Sequence, residues 1–127
     1  GLNGTGLVTF DMDGDGDRDV VQADVGQLRL FENRHVIDPH RRFLIIRPRM
    51  SGGNPTAIGT KVTVIDGPYR TARAILAGSS IMSQEPAQAH FGLGTSAEVD
   101  VLVEWPDGTS TTLVDVAANQ VLTVTPL

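Results

Sequence analysis

Apolar and polar residues alternate with a period of two along parts of this chain. The clearest case is residues 99–105, where three valines and Trp105 alternate with Asp100, Leu102 and Glu104. Successive side chains of a β-strand point to opposite faces, so this period predicts a strand with one buried face.

Turn-forming residues divide the rest of the chain into segments of strand length. Pro-Asp-Gly at 106–108 predicts a hairpin loop, and 115–119 are predicted to form one turn of helix. No segment has the period of a long helix. Further strands are predicted at residues 43–47, 61–65, 69–76, 88–91, 110–113 and 121–124. Short strands at this spacing predict an all-β fold, an antiparallel β-sandwich or barrel.

The most acidic segment is the loop Asp11–Asp19, with the sequence DMDGDGDRD. Its five carboxylates repel one another, which disfavours a helix or strand without a counter-charge. Oxygens at alternate positions of a tight loop suit Ca²⁺, which takes about six to eight oxygen ligands. Gly16 is predicted to supply the positive φ that folds the loop back. The predicted ligands are the side chains of Asp11, Asp13, Asp15 and Asp19 and the backbone carbonyl of Asp17.

An EF-hand loop begins with the same pattern, but it needs a glutamate at its twelfth position and flanking helices. The twelfth position here is Gln22, and the glycine-rich residues 1–9 show no helical period. Downstream, residues 19–23 and 27–31 predict two strands around a turn. The loop is therefore not an EF-hand. The alternative left open is an exposed acidic turn that holds no ion.

The negative charge of the chain is concentrated in this loop. The 127 residues carry a formal net charge of −5, and the loop holds five acidic residues and one arginine. The nearly neutral remainder has no basic surface of the kind that nucleic-acid binding needs.

There is no cysteine in the chain, and hence no disulfide or thiol nucleophile. No apolar run reaches the ~18 residues of a membrane span, and no signal peptide is visible. A start at Gly1 suggests a processed chain or a fragment.

The segment TFDMDGDGDRDVVQADVGQLRLFEN, residues 9–33, resembles one FG-GAP (VCBS-type) repeat. In that family the D-x-D-x-D-G-x-x-D loop binds calcium, and the repeat is one blade of a β-propeller. The resemblance implies the same five aspartates as ligands. One repeat cannot bury its apolar face alone, and a propeller has about four to eight blades. We therefore expect residues 1–35 to be the last blade of a propeller, present as a single calcium-loop β-hairpin, with the other blades upstream.

The second part of the chain resembles the ASPIC/UnbV domain, which follows FG-GAP repeats in proteins similar to cartilage acidic protein. The segments NPTAIGTKVTV, AGSS, HFGLG and VEWPDG occur in family order between residues 54 and 124. Together the two resemblances imply a blade remnant at 1–35, a linker at 36–42 and an ASPIC/UnbV-like β domain at 43–127.

His90 is the one candidate for catalysis. It would need a nucleophile and an orienting acid, and the nearby candidates are Ser79, Ser80, Ser83 and Glu85. Nothing resembles a G-x-S-x-G nucleophile elbow. A hydrogen-bonded structural histidine is the favoured interpretation, so we predict no enzyme and no catalytic residue.

Two other groups are weaker candidates for binding. His35, Asp38 and His40 lie in the predicted linker, where such spacing is weak evidence for a transition metal. Trp105 before Pro106 is a possible sugar-stacking platform, although a tryptophan in a strand is more often part of the core.

The sequence therefore predicts a non-enzymatic, calcium-binding module, secreted, periplasmic or on the cell surface, that serves adhesion or the binding of a protein or glycan ligand. Abundant extracellular calcium favours this location. The alternative is a carbohydrate-binding appendage of an exported protein, with Trp105 and Tyr69 as contacts. Neither nucleic acid nor a membrane span is expected.

Overall fold

The computed structural model describes residues 4–34, 40–78 and 86–127. The chain divides into two compact units, one of Gly1–Ile37 with Ala77–Pro86 and one of Asp38–Leu76 with Ala87–Leu127. The predicted boundaries at 35 and 43 stay predictions, and residues 36–39 of the predicted linker lie outside the described residues. Within the described ranges, no helix is long and apolar enough to cross a membrane.

The first unit contains a three-stranded antiparallel sheet in the order β1-β2-β3. Its strands are β1 (Gly4–Phe10), β2 (Asp19–Asp24) and β3 (Gln27–Phe31). The two strands predicted after the loop are therefore confirmed. The single hairpin gains a third strand, because β1 pairs with β2 up to Phe10 opposite Asp19. The acidic loop thus connects two paired strands, whose ends fix its two ends.

The second unit contains a three-stranded and a four-stranded sheet. Its strands are β4 (Arg42–Pro48), β5 (Lys61–Asp66), β6 (Tyr69–Ala74), β7 (Ala89–Gly94), β8 (Glu98–Glu104), β9 (Ser110–Ala117) and β10 (Gln120–Val124). The smaller sheet has the order β10-β4-β7 and the larger β6-β5-β8-β9. The pairing is antiparallel except between β10 and β4, which run parallel. The predicted all-β fold is confirmed.

Both sheets of the second unit contribute side chains to one hydrophobic core. The alternation predicted for residues 99–105 is confirmed, since the valines and Trp105 are buried and the intervening residues are not. Leu44, Ile46 and Phe91 come from the smaller sheet and pack in the same cluster. Two sheets that enclose one core form a β-sandwich.

Two predicted boundaries in this unit are wrong. The strand predicted to end at residue 91 instead continues through Gly92 and ends, as β7, at Gly94. The predicted helical turn at 115–119 is instead the end of β9 and a tight turn into β10. Asp115 and Asn119 have φ of 54° and 61°, and Asp115 lies opposite an irregularity in the β8–β9 register. Asp115 therefore belongs to a β-bulge, in which β9 has one more residue than β8. The local sequence had instead predicted a helical turn at this place.

We expect Asp115→Val to lower the free energy of unfolding of the second unit by about 1–2 kcal/mol, because a β-branched residue is strained at positive φ. Strand propensity alone predicts the opposite sign, since valine favours strands. Thr112→Val, at an exposed position of the same strand, is the control and should change little. Urea denaturation measures both. An Asp115→Val variant as stable as the parent would contradict the strained backbone.

Candidate functional site

Three aspartates of the acidic loop converge in space. Asp11, Asp13 and Asp15 each offer one carboxylate oxygen, and these three atoms all lie within 4.8 Å of one another. Asp11 is half-buried, whereas Asp13 and Asp15 are exposed. Among the described residues, this is the one group of three or more acidic, histidine or cysteine side chains with this proximity.

The loop is wound around its own carboxylates. Asp11 Oδ1 accepts a hydrogen bond from the Gly14 amide at 2.7 Å, and Asp11 Oδ2 accepts one from the Gly16 amide at 2.9 Å. Asp13 and Asp15 each accept a hydrogen bond from the amide two residues later. Gly14 and Gly16 have φ of 81° and 94°, so the predicted positive φ at Gly16 is confirmed. Local hydrogen bonds of this kind hold the carboxylates on the inside of the turn.

Asp19 has a different environment from the other aspartates. Its side chain is completely buried, and Oδ2 accepts a hydrogen bond from the Met12 amide at 2.8 Å. Oδ1 accepts one from the Asn33 amide at 2.7 Å. Asp19 therefore ties the start of the loop to the chain beyond β3. From the sequence, Asp19 was predicted only as one of five calcium ligands. Its second role, as a hydrogen-bond acceptor for the Asn33 amide, could not be predicted, because a contact between residues 14 apart leaves no local sequence pattern.

The electrostatics of the loop follow from this crowding. The hydrogen bond from the Asp15 amide lowers the pKa of Asp13, but desolvation and the charges of Asp15 and Asp19 outweigh it, so that the pKa of Asp13 is raised. The guanidinium of Arg18 donates a hydrogen bond to the carbonyl of Thr9 at 3.1 Å. The fold thus holds several carboxylates together at an electrostatic cost.

The donor set determines which ion the loop suits. Every candidate ligand is an oxygen, and carboxylate and carbonyl oxygens favour hard divalent cations over the softer transition metals. Each carboxylate oxygen that accepts one amide hydrogen bond retains a second lone pair. The residues therefore fit Ca²⁺. The full set of five ligands stays a prediction, because the short distances between carboxylate oxygens are found for Asp11, Asp13 and Asp15.

Trp105 does not offer a face for a sugar. Its side chain is 3% exposed and its Nε1 donates a hydrogen bond to Thr111 Oγ1 at 2.9 Å. The proposed contact at Trp105 is wrong, because the ring is enclosed by the core and its polar atom is already satisfied. Tyr69, by contrast, is 74% exposed on the edge strand β6.

The remaining candidates form no assembled catalytic group among the described residues. His90 is half-buried, and its ring stacks on Phe43 at 6.2 Å between centroids with an angle of 11°. The interpretation of His90 as a structural histidine stays a prediction. The serines and the acid considered as its partners lie outside the described residues, as do His35 and Asp38 of the weak metal candidate. His40 is exposed.

The sequence model of the family described as ASPIC and UnbV matches residues 50–126, more than half of the chain. No curated protein matches the chain. The matched range lies inside the predicted second domain and covers all of strands β5 to β10. The resemblance of residues 9–33 to an FG-GAP repeat stays a prediction. The chain belongs to the ASPIC and UnbV family.

Proposed function

We propose that this chain is a non-enzymatic, calcium-binding module of an exported protein, secreted, periplasmic or at the cell surface, and that it serves adhesion or ligand binding. ASPIC/UnbV domains are extracellular-type modules of larger proteins. The observation that carries the proposal is the convergence of Asp11, Asp13 and Asp15 in a loop held between two paired strands. On this proposal, further FG-GAP blades lie upstream in the full-length protein.

Calcium would be held by the side-chain oxygens of Asp11, Asp13 and Asp15, with the Asp17 carbonyl and Asp19 as the further predicted ligands. The ion supplies two positive charges to a loop whose acidic residues exceed its basic residue by four. Mutual repulsion between the carboxylates then becomes attraction to a common centre.

The role of the ion is structural on this proposal. The hydrophobic core cluster belongs entirely to the second unit. Among the described residues of the first unit, the buried positions are Gly6, Gly16 and Asp19. A sheet of three short strands with no fully buried apolar side chain among its described residues gains little from the hydrophobic effect. Contacts from the loop carboxylates to a common ion would therefore add to the stability that the backbone hydrogen bonds of this sheet provide.

Calcium titration tests the proposal directly. Isothermal titration calorimetry should show one Ca²⁺ site. Asp13→Asn should weaken it by about tenfold or more, because calcium affinity follows the number of charged ligands. At a Ca²⁺ concentration 100-fold above Kd, the first unit should gain roughly 2.7 kcal/mol of stability. Glu32→Gln, which removes one exposed negative charge outside the loop, is the matched control and should bind as the parent does. No heat of binding up to millimolar Ca²⁺ would reject the site.

The proposed site should also depend on pH in a defined direction. Because the pKa of Asp13 is raised in the fold, protons and Ca²⁺ compete for it, and affinity should fall as the pH drops through that raised pKa. Without calcium, the stability of the first unit should depend on pH in the opposite direction. Because its pKa is raised in the fold, Asp13 binds a proton more tightly in the folded than in the unfolded state. The free energy of unfolding should therefore fall as the pH rises from the unfolded pKa through the raised, folded pKa. Titrations at several pH values, with and without Ca²⁺, measure both slopes. Equal slopes in Asp13→Asn and the parent would exclude Asp13 as the titrating group.

A second candidate function is carbohydrate binding by the second unit. The observation that favours it is the exposed aromatic ring of Tyr69, which lines a cavity together with a carboxylate and a hydroxyl group. Because Trp105 is enclosed in the core, Tyr69 is the remaining one of the two aromatic residues predicted to contact a sugar.

A further inference from the structure

The two sheets of the second unit differ in width, and their edges leave a cavity. Strand β6 is an edge of the four-stranded sheet and β7 is an edge of the three-stranded sheet. All six residues of β6 are exposed. A cavity of about 290 Å³ lies between these edges and is lined by residues of β5, β6 and β7.

The strand register places polar side chains on the inner face beside this cavity. Asp66 pairs with Tyr69, and Val64 pairs with Thr71. Partners in an antiparallel pair point to the same face, and so do residues two apart. The buried Val64 shows that this face is the core side. The core face therefore changes from apolar in the middle of the sheet to polar at the β6 edge.

The cavity combines an apolar floor with hydrogen-bonding groups at the rim. Phe91 and Leu93 of β7 are buried and form the floor with Val64. At the rim, Tyr69 offers its ring and its hydroxyl group, and Thr71 offers a second hydroxyl. Asp66 Oδ2 accepts a hydrogen bond from the Ser96 hydroxyl, which fixes the carboxylate and leaves Oδ1 as an acceptor.

We propose that this cavity binds one hexopyranose unit of a glycan. A pyranose has an apolar C–H face, which an aromatic ring covers, and hydroxyl groups that need both donors and acceptors. Tyr69 supplies the aromatic face, Asp66 the acceptor and Thr71 a group that does both. The volume lies just below the ~300–1,000 Å³ of pockets for drug-sized ligands, so a single ring is the unit held.

The charges near the cavity favour a neutral polyol over an organic cation. A carboxylate beside an aromatic ring is also a binding site for alkylammonium groups. Arg73, however, follows Thr71 on the same face, and its guanidinium carbon lies 5.9 Å from the centroid of the Phe91 ring. This fixed positive charge next to the floor opposes a second cation. The inference deepens the second candidate function and is independent of calcium binding.

The test is a backbone amide NMR titration of the whole chain with four methyl pyranosides, those of glucose, galactose, mannose and N-acetylglucosamine. Butylammonium chloride is the cationic comparison. At least one pyranoside, at up to tens of millimolar, should shift the amides of Phe91, Gly92 and Leu93. Tyr69→Ala should weaken that binding by about tenfold, and Thr71→Val should weaken it less. The control Thr112→Val, on the outer face of the same sheet by register, should bind like the parent.

Each contrary result overturns the proposal in a distinguishable way. If none of the four pyranosides shifts any amide signal, both the proposed site and the binding of these sugars by the protein are rejected. Shifts confined to another surface and unchanged in Tyr69→Ala reject the site but leave carbohydrate binding in place. A response at Phe91 and Leu93 to butylammonium alone assigns the cavity to cations and rejects the pyranose. Dispersed spectra of Tyr69→Ala confirm that the variant is folded, as expected for an exposed side chain.

Discussion

Trp105→Ala should lower the free energy of unfolding of the second unit by about 3–5 kcal/mol, which is the usual cost of truncating a buried tryptophan. The residue follows β8 directly and belongs to the cluster that both sheets enclose. Its removal leaves a large cavity between the sheets. It also leaves the Thr111 hydroxyl, which is itself buried, without its indole partner. Urea denaturation followed by circular dichroism measures the change.

Two further variants separate packing from hydrogen bonding at this position. Thr111→Val keeps the shape of the side chain but removes the acceptor of the Trp105 N–H, and it should cost about 1–3 kcal/mol. Thr112→Val, next to it on the exposed face, should change stability by less than ~0.5 kcal/mol. If Trp105→Ala unfolded at the same urea concentration as the parent, the indole ring would not lie in the core, and a surface role for Trp105 would have to be reconsidered.

Asp19→Ala should destabilise the first unit by about 3 kcal/mol or more, even with no calcium present. Each oxygen of this buried carboxylate accepts a backbone N–H, from Met12 and Asn33. Hydrogen bonds to a charged group are worth about 1.5–3 kcal/mol each. The substitution leaves both amides in a part-buried place without their acceptor. Hydrogen exchange in EDTA should show faster exchange at Met12, at Asn33 and along β2, with β5 and β8 unchanged.

The control for this experiment is Asp13→Asn under the same conditions. Asparagine retains a side-chain acceptor for the Asp15 amide and removes one of the crowded charges, so exchange in EDTA should stay equal or become slower. The comparison distinguishes two roles for Asp19. If it acted as a metal ligand alone, Asp19→Ala and the parent would exchange at the same rate in EDTA, and the clamp between Met12 and Asn33 would be refuted.

Strong local patterns were enough to predict much of this chain. The period-two alternation at 99–105 identified the central strand β8, because successive side chains of a strand point to opposite faces and one face of β8 is buried. The strands after the acidic loop and the positive φ of Gly16 also follow from local turn chemistry. The clustering of Asp11, Asp13 and Asp15 follows from the loop spacing, since residues two apart in such a tight turn come close together.

Other features depend on residues far apart in the chain, and the tertiary structure alone decided them. Strand β1 has a glycine-rich sequence with no pattern of its own and becomes a strand because β2 offers it backbone hydrogen bonds. The parallel pairing of β10 with β4 joins segments more than 70 residues apart. At Asp115 a bulge against β8 overrode the local helix signal.

The same distinction applies to function. The sequence determined the chemistry that this protein offers, an oxygen-rich acidic loop and an ASPIC/UnbV domain, because these depend on residue type and spacing. Tertiary structure decided which of these side chains are accessible. It buried Trp105, left Tyr69 exposed and turned Asp19 toward Met12 and Asn33. Burial is set by which strands pack together, and that packing is a sum of many non-local contacts that no single segment specifies.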